Sequence, residues 1–172
     1  MTQSDLARAQ SLITSIPDYP EPGVVFRDIS PLLADGPAMR AVTEALIEPF
    51  AGQFDIAGGL EARGFLFAGA ISAMTGVGIL PIRKAGKLPR PAAAVSYTLE
   101  YGTATIEGPD VLKEGERVLL IDDILATGGT LTAAQSLVAD LGAEVIGSAV
   151  VLELTALGGR EHTGEVHTLF VE

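Results

Sequence analysis

Two kinds of apolar pattern alternate along the chain and predict alternating strands and helices. Continuous apolar runs bounded by glycine or polar residues predict buried strands, and apolar residues three or four positions apart predict helices. The predicted strands cover residues 54–57, 78–82, 117–121, 145–154 and 166–171, and the predicted helices cover residues from about 5 to 13, 37–50, 62–74 and 130–141. This alternation indicates βαβ units, so we expect an α/β fold with a mainly parallel, twisted sheet flanked by helices.

Glycine, proline and β-prone residues predict the remaining connections. Residues 17–23 are predicted to be irregular, Gly58 and Gly59 to end a strand, residues 84–91 to form a loop, and residues 95–99 and 103–106 to form a hairpin. No repeat, low-complexity tract or linker is apparent in the 172 residues. We therefore predict a single domain that covers residues 1–172.

Composition and charge exclude several classes of function. The formal net charge of -11 disfavours binding to nucleic acids and to anionic membranes, both of which need a basic surface. The absence of cysteine excludes disulfides and thiolate metal sites. No apolar run approaches the roughly 20 residues that span a bilayer, and the first residues lack the basic start and apolar core of a signal peptide. The sequence therefore predicts a cytoplasmic protein with no nucleic-acid or membrane partner.

Residues 118–130, VLLIDDILATGGT, combine a predicted strand, two acids and a small-residue loop that opens a helix. Ligands of open α/β sheets sit beyond the carboxyl ends of the strands, and a glycine-rich helix N-terminus binds anions. The two acids can accept hydrogen bonds from ribose hydroxyls or lie in the outer shell of a magnesium ion. The pattern predicts a ribose 5-phosphate site formed by Asp122, Asp123, Ala126, Thr127, Gly128, Gly129 and Thr130.

The same segment resembles the motif with which type I phosphoribosyltransferases bind 5-phosphoribosyl 1-pyrophosphate (PRPP). Further segments extend the resemblance from about residue 16 to the C-terminus and narrow it to the adenine branch of that family. They are residues 16–33 (IPDYPEPGVVFRDISPLL), 61–65 (EARGF), 83–89 (RKAGKLP), 96–102 (SYTLEYG) and 157–160 (LGGR). The resemblance implies the type I phosphoribosyltransferase fold, with a purine-binding arm and hood in residues 1–35. It also implies a basic loop and a mobile β-hairpin flap in residues 84–107.

The resemblance further implies an enzyme of purine salvage, which transfers the phosphoribosyl group of PRPP to adenine and releases AMP and pyrophosphate. It implies Mg²⁺ bound with PRPP, no separate metal site on the protein, and a homodimer. Glu100 matches the catalytic acid that exchanges a proton with the purine ring. The implied pyrophosphate ligands are Arg63, Arg83, Lys84, Lys87 and Tyr101, and the implied adenine ligands are Val24, Phe26 and Arg27. Phe26 would stack on the base, while backbone groups of the other two adenine ligands would read its polar edge.

The basic loop is also conspicuous without the resemblance. Arg83, Lys84, Lys87 and Arg90 are four of only eleven basic residues, and they fall within eight positions of an acidic chain. Such a cluster can offset the field that an anionic ligand would meet, although a solvated loop explains the pattern equally well. His162 and His167 lie near Glu161 and Glu165, but we expect these side chains to face solvent rather than to bind a metal.

Two other functions remain open at this point. A xanthine or 6-oxopurine phosphoribosyltransferase would share the phosphate loop but would read a different base edge, which the PGVVFRD arm and the flap glutamate disfavour. A non-catalytic, PRPP-sensing regulator would need a DNA-binding extension or a basic face, which the net charge of -11 disfavours. A plain structural domain would require the anion loop, basic loop and flap to coincide by chance.

Overall fold

The structure is a computed structural model that describes residues 3–99 and 102–172. The chain divides into two compact units, with the boundary between Ala45 and Leu46. The prediction of a single domain over residues 1–172 stays a prediction. None of the helices in the described residues is long and apolar enough to cross a membrane.

The first unit contains three helices and a two-stranded sheet. Its elements are α1 (Gln3–Ser11), β1 (Thr14–Pro17), β2 (Val25–Asp28), α2 (Ser30–Ala34) and most of α3 (Gly36–Ile47). Strands β1 and β2 pair antiparallel, with Pro17 opposite Val25. The prediction that residues 17–23 are irregular was therefore wrong at Pro17, because proline is tolerated at the end of a strand. The loop between the two strands is closed by Gly23, whose backbone N–H donates to Asp18 Oδ1 at 2.8 Å.

The second unit contains a seven-stranded sheet and three further α-helices. Its elements are β3 (Ile56–Leu60), α4 (Gly64–Thr75), β4 (Gly78–Lys84), β5 (Pro91–Leu99), β6 (Gly102–Pro109), β7 (Arg117–Leu125), α5 (Gly129–Asp140), β8 (Glu144–Glu153), α6 (Arg160–Thr163) and β9 (His167–Val171). Short 3₁₀ turns cover Glu48–Phe50 and Thr155–Leu157. The strand order is β5-β6-β4-β3-β7-β8-β9.

The sheet is parallel through its middle and antiparallel at one edge. Strands β4, β3, β7, β8 and β9 run parallel, while β6 pairs antiparallel with both β4 and β5. Helix α4 contacts β3, β4 and β7, and α5 contacts β5 to β8. Apolar side chains of β7 and α5 meet in the core, with Leu120 and Leu137 both fully buried. The predicted fold class, a mainly parallel sheet flanked by helices, is confirmed.

Gly58 and Gly59 lie inside β3, so the prediction that they end the strand was wrong. A Cβ atom at Gly59 would lie 2.9 Å from the Cβ atom of Ala68 and 2.9 Å from the carbonyl oxygen of Gly64. Glycine at this position therefore allows α4 to pack close to the sheet, and it does not form a turn. Strand β3 continues to Leu60, so the residues that follow lie at the edge of the sheet where ligands bind.

The other predicted elements are present with shifted ends. Strand β7 runs to Leu125 rather than residue 121, because it keeps pairing with β8 beyond the two acids. The predicted loop at residues 84–91 is shorter, since Lys84 ends β4 and Pro91 begins β5. The hairpin is longer than predicted, because β5 and β6 pair from Leu99 opposite Gly102 down to Pro91 opposite Pro109. The longer strands extend the part of the hairpin that pairs within the sheet.

Candidate active site

A cavity of about 620 Å³ opens where β3, β4 and β7 end, and side chains from several distant segments line it. Its walls are formed by Leu60, Glu61, Ala62, Arg63, Ile82, Lys84, Tyr97, Ala104, Ile106, Asp122, Asp123 and Thr130. Five of the residues predicted to bind PRPP therefore meet in one place, although they are up to 67 positions apart in the chain (Arg63 to Thr130). The lining contains both acids and cations, which suits a ligand that has both hydroxyls and phosphates.

The predicted phosphate loop forms a small pocket of about 70 Å³ beside this cavity. Its lining includes Asp122 and every residue from 126 to 130. Gly128 caps helix α5 with a φ of 82°, a left-handed conformation that side chains other than glycine rarely adopt. The first backbone N–H groups of α5 are thus presented at the pocket, where the helix dipole adds partial positive charge. This arrangement is the one that a phosphate group requires.

The LGGR segment packs against the back of the phosphate loop. A Cβ atom at Gly159 would lie only 2.4 Å from the carbonyl oxygen of Ala126, and one at Gly128 would lie 2.6 Å from the carbonyl oxygen of Gly159. The next residue, Arg160, donates from Nε to both carboxylate oxygens of Glu153 at 2.8 Å. Glu153 is 5% exposed, and its carboxylate holds the pKa of Arg160 above the usual value. The pair anchors the turn that shapes the phosphate loop.

Sequence reasoning included the LGGR segment only as part of the family resemblance and gave it no role. Its two adjacent glycines indicated a close approach of two backbone segments, but the segment that they approach, at Ala126, is more than thirty residues away. Only the fold shows that Gly159 touches the loop after β7.

The two acids at the end of β7 differ in their surroundings. Asp122 accepts a hydrogen bond from the backbone N–H of Asp123 at 2.9 Å, and burial, followed by the charge of Asp123, raises the pKa of Asp122 well above its usual range. Asp123 is 6% exposed and pairs with Arg63, whose Nε lies 2.6 Å from Asp123 Oδ2. Burial therefore disfavours the charged form of Asp122, while Asp123 has a cationic partner.

The basic loop is held in place by Glu61, which sequence reasoning placed in the pyrophosphate loop without a role of its own. The Glu61 carboxylate forms ion pairs with Lys87 Nζ and, at 3.5 Å, with Arg83 Nε. It also accepts a hydrogen bond from the backbone N–H of Lys84 at 2.9 Å. The bond from Lys87 is the main cause of the lowered pKa of Glu61. Three predicted pyrophosphate ligands thus converge on one carboxylate.

Tyr97 is a second residue that sequence reasoning did not single out. It belongs to strand β5, lines the large cavity, and places its hydroxyl 3.0 Å from Thr130 Oγ1. The SYTLEYG motif contained this tyrosine, but only the packing of β5 beside α5 brings it to the phosphate loop.

The three predicted adenine ligands and two residues of the flap remain to be placed. Val24, Phe26 and Arg27 belong to the first unit, where the ring of Phe26 packs edge-on against Tyr19 at a centroid distance of 5.3 Å. Arg27 donates to Ser15 Oγ at 2.6 Å across the β1–β2 pair. Their assignment to adenine stays a prediction. Glu100 and Tyr101 fall outside the residues that the structure describes, so their roles also stay predictions.

Metal-binding side chains do not form a cluster in the described part of the chain: no group of three or more His, Cys, Asp or Glu residues there is arranged to hold an ion. His167 packs edge-on against Phe50 with ring centroids 6.0 Å apart. The backbone carbonyl of His162 accepts a bond from Thr132 Oγ1 at 3.2 Å.

Comparison with known proteins gives one consistent family. A family model described as a phosphoribosyl transferase domain matches residues 32–168. An adenine phosphoribosyltransferase of Renibacterium salmoninarum is 58% identical over 153 residues, which cover 88% of this chain and 84% of that protein.

Solved structures agree with this result. The crystal structure of adenine phosphoribosyltransferase from Rhodothermus marinus matches with a TM-score of 0.93 and 41% identity, over 99% of this chain and 100% of that chain. The enzyme from Saccharomyces cerevisiae, complexed with an imino-altritol bisphosphate and adenine, matches with a TM-score of 0.89 and 33% identity, over 97% of this chain and 98% of that chain.

The family model covers most of the chain, and the relatives align with it almost from end to end. The resemblance stated from the motifs is therefore confirmed, and so is the prediction that the chain is an enzyme. This chain belongs to the phosphoribosyltransferase domain family and, within it, to the adenine phosphoribosyltransferases.

Proposed function

We propose that this chain transfers the 5-phosphoribosyl group of PRPP to adenine and releases AMP and pyrophosphate. A bond forms between a ring nitrogen of adenine and C1 of the ribose, the bond from C1 to the pyrophosphate oxygen breaks, and the purine loses one proton. The observation that carries the proposal is the single cavity in which a phosphate loop, two acids and cationic side chains meet. Membership of the adenine phosphoribosyltransferases identifies the base.

Three parts of PRPP match three parts of the cavity. The 5-phosphate fits the backbone N–H groups and hydroxyls of residues 126–130, which face the pocket at the start of α5. The ribose hydroxyls fit Asp122 and Asp123, whose carboxyl oxygens can accept hydrogen bonds from them. The pyrophosphate fits the cationic side, where Arg63 and Lys84 line the cavity and Arg83 and Lys87 surround Glu61.

Magnesium is proposed to accompany PRPP. Mg²⁺ prefers six oxygen ligands in octahedral geometry and usually keeps several waters or phosphate oxygens. The pair Asp122 and Asp123 supplies carboxyl oxygens at the ribose side, where burial, followed by repulsion from the charge of Asp123, raises the pKa of Asp122. A cation would relieve that repulsion. These residues would fit in the outer shell of an ion that PRPP carries in, and the ion would help to neutralise the charge of the pyrophosphate.

Adenine is proposed to stack on Phe26, with backbone groups of Val24 and Arg27 at its polar edge. The purine proton is proposed to pass to Glu100 on the flap as the new bond forms. Tyr101 is proposed to lie on the pyrophosphate side. Closure of the flap over the cavity would exclude water, which would otherwise compete with adenine for C1 of the ribose.

A homodimer is also proposed. Three large apolar side chains of α4 and β4 are exposed: Leu66 by 51%, Met74 by 43% and Ile79 by 42%. Burial of such side chains in a subunit interface would lower their cost in water. Sedimentation should give twice the monomer mass at micromolar concentration, and a monomer at enzymatically active concentrations would contradict the proposal.

The predicted cytoplasmic location stays a prediction, which fractionation of the source cells would test.

The proposed reaction is tested by incubating the purified chain with PRPP, adenine and Mg²⁺ and by quantifying both products. AMP and pyrophosphate should form in equal amounts, and chelation of Mg²⁺ should stop the reaction. A folded chain that binds PRPP but forms no AMP would overturn the proposal. Turnover that is unaffected by complete removal of Mg²⁺ would overturn the metal assignment alone.

A further inference from the structure

Tyr97 contacts the phosphate loop from strand β5 of the hairpin, and the site described above gives this tyrosine no role in binding the ligand. Its hydroxyl lies 3.0 Å from Thr130 Oγ1. Its ring lies beside Gly129, where an added Cβ atom would be 3.1 Å from Tyr97 Cδ2. The tyrosine is half-buried and is held by strand β5 rather than by a loop. The contact is therefore part of the sheet that carries the hairpin.

The chemistry of two hydroxyls explains what this contact does. Each hydroxyl has one proton to donate and two lone pairs that accept, and its proton rotates to suit its neighbours. A phosphate oxygen in the loop needs donors. If Tyr97 donates to Thr130 Oγ1, the Thr130 proton is left to point at the phosphate oxygen. Hydrogen bonds in such a chain polarise one another, so the donor nearest the anion becomes stronger.

We propose that Tyr97 is a positioning residue for the 5-phosphate of PRPP, acting through the hydroxyl of Thr130. The Tyr97 hydroxyl holds Thr130 in the donating orientation and, because Tyr97 belongs to β5, connects an occupied phosphate loop to the base of the flap. This inference rests on the proposed function for the identity of the ligand. The inference adds Tyr97 as a residue that acts on the phosphate through Thr130 and connects the phosphate site to the hairpin.

A second hydroxyl pair in the same hairpin supplies the matched control. Ser96, the neighbour of Tyr97, lies with Oγ 2.7 Å from Thr105 Oγ1 across the β5–β6 pair. Ser96 is not among the residues that line the large cavity. Removal of its hydroxyl therefore deletes one hydrogen bond from the same strand and leaves the contact between Tyr97 and Thr130 in place.

The test compares Tyr97→Phe with Ser96→Ala by calorimetric titration of ribose 5-phosphate, and separately of pyrophosphate with Mg²⁺. Tyr97→Phe should weaken ribose 5-phosphate binding about fivefold to tenfold, the effect of one net hydrogen bond, and leave pyrophosphate binding unchanged. Ser96→Ala should change neither. Equal losses for both ligands in Tyr97→Phe, or no loss for ribose 5-phosphate, would overturn the proposal.

A double-mutant cycle tests the route through Thr130. Thr130→Val removes the hydroxyl that Tyr97 is proposed to orient, so adding Tyr97→Phe to Thr130→Val should cause no further loss of ribose 5-phosphate affinity. Losses that multiply independently would contradict a shared route. These titrations do not depend on the base. A wild-type chain that binds ribose 5-phosphate but does not convert adenine would sink the proposed function and leave this test intact, whereas a wild type that binds no ribose 5-phosphate would sink both.

Discussion

Arg63 and Asp123 form an ion pair in the wall of the cavity, with Arg63 Nε 2.6 Å from Asp123 Oδ2. Arg63 follows β3, and Asp123 lies two residues before the end of the neighbouring parallel strand β7. The family resemblance implies that Arg63 binds pyrophosphate, and the sequence pattern predicts that Asp123 binds ribose, so the partners in this pair are expected to serve adjoining parts of one ligand. The pairing satisfies a carboxylate that is 6% exposed, a position where a charge without a partner is costly.

Substitution of Arg63 should therefore affect both binding and stability. Arg63→Ala should lower kcat/KM for PRPP at least about tenfold, because a cationic ligand of the pyrophosphate is lost. It should also lower the free energy of unfolding by about 1–3 kcal/mol, because the Asp123 carboxylate stays buried without its cation. Steady-state kinetics and urea unfolding measure the two effects.

Arg90→Ala is the matched control, since it removes the same charge from a residue that lines a separate cavity beside Pro89 and Pro109. A similar loss in both variants would mean that net charge, rather than the Arg63 site, governs PRPP binding.

The contact behind the phosphate loop gives a second prediction. Gly159→Ala should raise the KM for PRPP and lower the free energy of unfolding by about 1–3 kcal/mol, because the new Cβ atom would overlap the carbonyl oxygen of Ala126. Gly69→Ala is the control, because Gly69 lies within α4 and an added Cβ atom meets nothing within 4 Å. That variant should be neutral or stabilise the fold by up to about 1 kcal/mol through helix propensity. A Gly159→Ala protein with unchanged PRPP kinetics would contradict the role given to the LGGR turn.

The flap glutamate gives a third prediction. Glu100→Leu should lower kcat by about a hundredfold or more while PRPP affinity changes little, because the variant lacks a group that exchanges a proton with the purine. Single-turnover kinetics at saturating PRPP measures the chemical step directly. Near-normal turnover in this variant would remove Glu100 from the proposed mechanism.

The ion pair between Asp55 and Arg117 predicts how stability changes in acid. Hydrogen bonds from Arg117, at 2.7 Å and 2.9 Å from the guanidinium, lower the pKa of Asp55 from 3.8 to about 2. A carboxyl whose pKa is lower in the folded state stabilises the fold above its unfolded pKa, and this contribution is lost as the pH falls toward the folded pKa. The stability difference between wild type and Asp55→Asn should therefore be constant above about pH 5 and shrink between about pH 4 and pH 2. Urea unfolding at stepped pH measures it, and a difference that does not shrink in acid would contradict the assignment.

Local patterns were enough to predict the parts of the site that lie on one segment. The run VLLIDDILATGGT contains its strand, acids and helix start in 13 consecutive residues, so the sequence alone indicated that Asp122 and Thr130 lie at one end of the sheet. The alternation of strand and helix patterns predicted the fold class, and the further motifs predicted the family. The glycines of β3 were misread because neither forms a local turn: an added Cβ atom would meet Ala68 and Gly64 of α4 at Gly59, and Val118 and Leu120 of β7 at Gly58.

Contacts between distant segments were the part that local patterns did not predict. Glu61 meets Lys87 across 26 positions, and Tyr97 meets Thr130 across 33 positions. Such contacts depend on the strand order, which places the antiparallel β6 between β4 and β5 and so brings the hairpin beside α5. The contacts of Glu61 and Tyr97 were therefore missed, while several residues predicted to touch the ligand lie together in one cavity, although their roles stay predictions.

The most direct test of the account is a competition for PRPP among four purines. Equal concentrations of adenine, hypoxanthine, guanine and xanthine are mixed with limiting PRPP, Mg²⁺ and the purified chain, and the nucleotide products are separated and quantified. The account predicts that AMP accounts for nearly all of the product. A mixture dominated by IMP, GMP or XMP would show that the cavity serves a 6-oxopurine and would contradict the assignment to adenine.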